Sequence, residues 1–165
     1  MNKINVGVIG YGTVGAGTVE ILLKNRDIIN NRVGSDIFLR KIADLDLESD
    51  RGISIKPEIL TTDANEVLND PEIDIVVELI GGLTKAKEII LQAIKKGKHV
   101  VTANKALLAE CGTELYEAAD LHNVTLAFEA SVCGGIPVLR SLREGLSANK
   151  IISIMGILFA KREIG

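Results

Sequence analysis

The sequence predicts an α/β protein built on a doubly wound parallel sheet. Three observations carry that prediction. Short β-branched runs alternate with segments of helical period, the pattern of βαβ units. Ile73 to Ile80 is nearly continuously apolar, as a strand buried on both faces requires. A Gly10-x-Gly12-x-x-Gly15 turn separates the first apolar run from the first helical segment. Composition fits a folded chain, because 47% of the 165 residues are hydrophobic and 25% are charged, which excludes a disordered tail, a collagen and a coiled coil. At about 150 residues per domain, the length corresponds to one domain, or one domain plus a fragment.

In chain order, the first strand is expected over Ile4–Ile9, followed by the glycine turn and a helix that turns Val19, Leu22 and Leu23 inward. A polar loop from Asn30 to Asp36 leads to a second strand, Ile37–Ala43, which ends in the acidic stretch Asp44–Asp50. After a loop of low periodicity, a short strand near Ile59–Leu60 precedes a small helix that Asp63 and Glu66 cap reciprocally. The Ile73–Ile80 strand carries Glu78 and stops at Gly81-Gly82. The next helix lines up Ala86, Ile89, Ile90, Ala93 and Ile94 and ends with Gly97 as its C′ residue. A strand over His99–Ala103 follows; Asn104 caps a helix whose buried stripe is Leu108, Cys111, Leu115 and Ala118. The remaining elements are a strand over Thr125–Ala130, a helix that opens at Pro137 and carries Leu139, Leu142 and Leu146, and a strand over Ile151–Leu158.

Charge and composition exclude several partners. With 19 Lys and Arg against 22 Asp and Glu, the net charge is -3, so no cationic surplus exists to release counterions from a nucleic acid. Aromatics make up 3% and Trp is absent, which leaves no stacking platform for single strands. Cys111 and Cys133 form neither a disulfide framework nor the paired spacing of a zinc site, which points to a reducing, cytoplasmic compartment. The segment Met1–Gly10 has neither signal-peptide nor membrane-span character, and no run of about 18 apolar residues occurs.

The chemistry concentrates at predicted strand ends. In Gly10-Tyr11-Gly12-Thr13-Val14-Gly15 the first glycine permits a tight turn, the second lets backbone approach a pyrophosphate, and the third lets helix and strand pack closely. Because this motif follows a strand and opens a helix, it indicates a Rossmann-type dinucleotide site. A carboxylate at the end of the second strand accepts from a ribose 2′-OH and favours NAD, whereas a cation there favours NADP. Asp44 is the carboxylate, or else a strand end solvating a loop; Arg40, Lys41 and Arg51 are the cations in reach of a 2′-phosphate.

Glu78–Gly82 and Thr102–Lys105 leave strands on the same edge and so face the cofactor, with Lys105 either functional or a solvated helix-start cation. The turn from Glu129 to Pro137 either holds a hard cation or is a glycine-rich structural turn in which Glu129 accepts backbone N–H bonds. His99 and His122 read as ordinary edge and surface residues. Ser131 and Cys133 lack the partners of a nucleophile, so nucleophilic catalysis is not supported.

Taken together, Val6–Gly15, Val77–Gly82, His99–Leu107 and the stretch from Phe128 through Gly145 resemble the homoserine dehydrogenases, and the likeness runs from Ile4 to about Leu158. The resemblance implies a Rossmann NAD(P)-binding domain over residues 1–150, with 151–165 beginning a truncated substrate and dimerisation domain. It implies cofactor contacts from Gly10, Tyr11, Gly12, Thr13, Val14, Gly15, Asp44, Gly81, Gly82, Thr102, Ala103, Asn104 and Lys105, with NAD or NADP as the cofactor. It also implies a catalytic Lys105 and a sodium ion at Glu129 and the carbonyls near Val132, Gly134 and Ile136.

The implied reaction interconverts L-aspartate 4-semialdehyde and L-homoserine, in threonine, methionine and isoleucine biosynthesis, by a cytoplasmic homo-oligomer. The family's Asn-Gly-Thr/Ser segment is replaced here by Phe159–Gly165, so the chain is expected to be inactive alone. A free-standing dinucleotide-binding module and a related lysine-using amino-acid dehydrogenase are the alternative readings.

Overall fold

A computed structural model describes residues 2–155. Its elements are β1 (Lys3–Ile9), α1 (Thr13–Lys24), α2 (Arg26–Val33), β2 (Asp36–Ala43), β3 (Leu60–Thr61), α3 (Ala64–Leu68), β4 (Ile75–Glu78), α4 (Thr84–Lys95), β5 (His99–Thr102), α5 (Lys105–Leu121), β6 (Leu126–Ala127) and α6 (Val138–Arg140), the last running on into a wider turn over Ser141–Gly145. All the strand pairs are parallel, in the order β3-β2-β1-β4-β5-β6. The chain direction across the sheet therefore reverses between β1 and β4, and ligands of such sheets bind outside the carboxyl ends of the strands at that reversal.

Side-chain alternation along the strands builds a core on each face. Val6, Val8, Ile42 and Val77 pack with Ala16 and Val19 of α1 on one side. Ile9, Val76 and Val100 pack with α3, α4 and α5 on the other, through residues such as Val67, Ile90, Ile94, Leu107 and Leu115. Burying each such side chain contributes roughly 1.5–3 kcal/mol, and the expected α4 stripe is buried in full. Gly97 follows that helix at φ +72°, a conformation glycine adopts without strain.

Several expectations are corrected. Residues 30–33 are helical, not loop, because Asn30 is buried at the end of α2, where its amide accepts the Ile37 N–H (2.9 Å) and donates to Asp36 (3.1 Å). Leu23 lies outside the α1 stripe, at 43% exposure. Asp63 caps α3 by accepting the Asn65 N–H, but Glu66 does not reciprocate, since its carboxylate takes the Thr61 hydroxyl (2.7 Å) and Lys41 (2.6 Å). On α5 the deepest residues are Leu107, Leu115 and Ala119, which rotates the stripe and leaves Leu108, Cys111 and Ala118 half-buried at its edge.

The Thr125–Ala130 strand shortens to β6, because Glu129–Ser131 winds into a tight helical turn. Pro137 precedes α6 rather than opening it, and Leu146 beyond it is exposed. Ile151, Ile152, Ile154 and Met155 are exposed and in no strand; β-branched propensity without a neighbouring strand does not make one. The rest of that expected strand, residues 156–158, lies outside the described residues. No described helix is long and apolar enough to cross a membrane.

Candidate dinucleotide site

Each glycine of the turn meets a different constraint. Gly10 sits at φ +102°, and a Cβ on it would stand 2.6 Å from the Leu79 carbonyl carbon, so β1 and β4 approach too closely for any side chain there. A Cβ on Gly15 would stand 2.1 Å from the Gly10 carbonyl oxygen, which seats α1 directly on the turn. Gly12 is different, because a Cβ there would meet nothing within 4 Å. Gly12 is also the N-cap of α1, and among the described residues no side chain caps that helix. The first N–H groups of a helix have no intrahelical partners, and the helix dipole adds a positive potential. Open space and uncapped donors together fit an anionic ligand such as a pyrophosphate.

Beside this turn a cleft of about 330 Å³ opens at the strand ends, lined by Gly10, Asp44, Leu45, Thr62, Leu79 and Ile80 among others. It is mostly apolar, as a flat heterocycle requires. The acidic end of β2 meets the glycine turn directly: one Asp44 oxygen accepts the Tyr11 N–H and the other accepts the Asp46 N–H (2.9 Å). The candidate cations are all engaged. Arg40 pairs with Asp70 and Glu72, Lys41 with Glu66, and Arg51 with the Tyr11 carbonyl and the acidic loop. Tyr11 is 5% exposed, its hydroxyl has no partner among the described residues, and burial pushes its phenol up against the opposing pull of Arg51.

The ends of β4 and β5 form a second rim. Glu78 and Thr102 face each other across the two strands and are fully buried. The Thr102 hydroxyl donates to Glu78 (2.7 Å), whose other oxygen accepts the Ile80 N–H (2.9 Å). Thr102 in turn accepts the Asn104 N–H (3.0 Å), and the Asn104 amide reaches the Gly82 carbonyl (2.6 Å) while accepting the Leu107 N–H (3.1 Å). The turns Ile80–Gly82 and Thr102–Lys105 are thus one hydrogen-bonded unit. Sequence reading placed Glu78 near the cofactor but missed its part in this network; a carboxylate inside a β-branched strand was the available signal. Lys105 is exposed at the first position of α5.

The Glu129 turn lies apart from these rims in its bonding. Glu129 accepts the N–H groups of Leu139 (2.9 Å) and Arg140 (3.0 Å), capping α6. Cys133 and Gly134 both adopt positive φ, at 55° and 60°. The Glu129 carbonyl accepts from Val132 and the Ile136 carbonyl from Val138, at 3.1 and 2.8 Å. Among the described residues no cluster of His, Cys, Asp and Glu is grouped to hold a metal ion. His99 accepts the Thr125 N–H (3.0 Å) and His122 bonds its own helix, so neither joins the site.

Strand order, reversal point and an uncapped glycine turn define a Rossmann-type dinucleotide-binding domain. More specifically, the chain belongs to the family of the homoserine dehydrogenase NAD-binding domain, whose model its residues 10–129 match. It is 44% identical to the homoserine dehydrogenase of Bacillus subtilis over 158 residues, covering 96% of this chain and 36% of that protein. The Pseudomonas aeruginosa homoserine dehydrogenase is 48% identical over 158 residues, with the same coverage of 96% and 36%. The crystal structure of a homoserine dehydrogenase from Thiobacillus denitrificans superposes with a TM-score of 0.84 at 49% identity, over 90% of this chain and 34% of that one. The chain thus spans about a third of the length of the curated relatives it matches.

Proposed function

We propose that this chain is the cofactor-binding part of an NAD(P)-dependent oxidoreductase that interconverts L-aspartate 4-semialdehyde and L-homoserine. The observation that carries the reading is the uncapped start of α1 beside the open space at Gly12. In this reading the N–H groups from Gly12 to Gly15 hold the pyrophosphate, with Tyr11 shaping the turn. The mostly apolar cleft at Leu45 and Leu79 takes the adenine. Asp44 keeps acceptor capacity beyond its two backbone bonds and meets the ribose 2′-OH, which favours NAD. Gly81, Gly82 and Thr102–Lys105 border the nicotinamide, whose bound form supplies or accepts a hydride.

Lys105, exposed at this rim, orients the substrate oxygen and moves a proton to or from it. Residues 1–150 form the cofactor domain and 151–165 lead into a substrate and dimerisation part. The assignment extends to a cytoplasmic homo-oligomer serving threonine, methionine and isoleucine synthesis.

Sodium at Glu129 and the carbonyls near Val132, Gly134 and Ile136 belongs to the same reading, with carboxylate and main-chain oxygens as its donors. The Glu129 carboxylate keeps acceptor capacity beyond its two backbone bonds on α6. Calorimetric titration of the chain with NADH and NADPH tests the core of the proposal. Saturable binding is expected, and absence of binding to either cofactor overturns it.

A further inference from the structure

We infer that Arg51 is a positioning residue for the anion-binding turn rather than a reader of the cofactor's 2′ substituent. The inference rests on the dinucleotide reading above and adds the device that holds its turn in shape.

Tyr11, between the first two glycines, is gripped at both of its backbone groups. Its N–H donates to Asp44, and its carbonyl accepts from Arg51 Nε at 2.6 Å. The two side chains come from the start and the middle of the loop that follows β2. That loop folds back over the turn so that the guanidinium also lies 5.5 Å from the Tyr11 ring centre.

Arg51 has little freedom to do anything else. Beyond the bond to Tyr11, Nη1 donates to the Ser49 carbonyl (2.6 Å), and Nη2 donates to the Asp46 carbonyl and carboxylate (3.1 Å each). Its side chain is 13% exposed. Asp46 is itself fixed, accepting the Ser49 hydroxyl (2.5 Å) and the N–H groups of Ser49 (3.0 Å) and Glu48 (3.2 Å). These bonds take four of the guanidinium's five N–H groups, so a bidentate grip on a phosphate would have to break at least one of them.

The same bonds fix the main chain just ahead of Gly12. Gly12, in open space on the far side of Tyr11, leaves that backbone otherwise free to rotate. Gly12, Thr13 and Arg51 border one opening of about 590 Å³ beside α1, so the clamp abuts the place where the N–H groups are presented. Fixing donors before the ligand arrives reduces the ordering cost of binding.

The test compares Arg51→Met with the unaltered chain by two measurements. Amide hydrogen exchange without cofactor should show faster exchange over residues 10–14 in the variant than the modest fall in melting temperature alone accounts for. Titration with NADH and NADPH should show both weakened by a similar factor, roughly tenfold, since the pyrophosphate is common to both. Loss confined to NADPH would make Arg51 a reader of the 2′-phosphate and overturn the inference, as would unchanged exchange over residues 10–14. If the unaltered chain binds neither cofactor, the dinucleotide reading fails, while the exchange measurement still decides whether the clamp exists.

Discussion

The two rims of the site use hydrogen bonds in opposite ways. At the start of α1 donors stand open: among the described residues no side chain caps the helix, and a Cβ on Gly12 would meet nothing within 4 Å. At the ends of β4 and β5, Glu78, Thr102 and Asn104 satisfy one another and the adjoining turns. In the proposed reading the first rim takes an anion, which needs unmatched donors, and the second borders a reacting ring, which needs rigid walls that do not compete for its atoms. The first rim is therefore sensitive to bulk and the second to loss of a bonding partner.

Substitutions at Gly12 and Gly15 probe the first rim most strongly. Gly12→Val should leave the fold and melting temperature nearly unchanged, because nothing lies within 4 Å of the first of its three added carbons, yet block approach of the pyrophosphate and abolish NADH binding. Gly15→Val should lose both, since the Gly10 carbonyl oxygen stands 2.1 Å from the new atom and must move. Calorimetry and thermal melting of the two variants side by side check the contrast; equal stability loss in both would break it.

Lys105 comes next, on the second rim but outside its network. In an enzyme completed with the substrate part of a relative, Lys105→Ala should lower kcat by a factor of roughly 10² to 10⁴, the range for proton-transfer groups. Dinucleotide affinity should be little changed. Lys105→Arg should not restore the rate, because a guanidinium stays protonated and has another shape. Steady-state rates with homoserine check both, and unchanged kcat in the alanine variant would return Lys105 to the solvated surface.

Glu78→Ala should give a smaller but distinct effect. It leaves the buried Thr102 hydroxyl without its acceptor, a loss of about 1–3 kcal/mol, and frees the N–H of the exposed Ile80. Urea unfolding measures it. Thr102→Val with Glu78→Ala should cost less than the sum of the two changes, since removing both partners leaves fewer orphans. Strict additivity would show that the rim is not one unit.

What was legible in the sequence followed from period and punctuation. The parallel sheet, the α4 stripe, the Asn104 cap and the glycine turn depend on residues close in the chain, where spacing is decisive. What was not legible depended on partners far away. Asn30 reads as loop until its amide is seen closing α2 against β2. Arg40, Lys41 and Arg51 were equal candidates for a phosphate because sequence does not show that Asp70, Glu66 and Tyr11 already hold them. Lys98 is the extreme case, a buried lysine whose ammonium donates to the carbonyls of Asp70 (2.6 Å) and Ile73 (2.8 Å) and is pushed down by burial.

The smallest expected effect concerns acid and the loop that clamps the first rim. The Ser49 hydroxyl, then the Ser49 N–H and Arg51, hold the Asp46 carboxyl far below the usual carboxylate range. In the unfolded chain Asp46 titrates within that range, so between the two values the unfolded state binds more protons than the folded one. The stabilisation from its bonds is therefore complete above the usual range and is lost as pH falls from there toward the folded value. Asp46→Asn keeps an acceptor for Ser49 but removes the titration. Urea midpoints taken from about pH 6 down to about pH 3 should decline less steeply in the variant than in the parent. Because Asp46 is exposed, solvent screens the effect and the difference in slope should be slight. Parallel slopes would show that the loop over Tyr11 is held by Asp44 and Arg51 without help from the Asp46 charge.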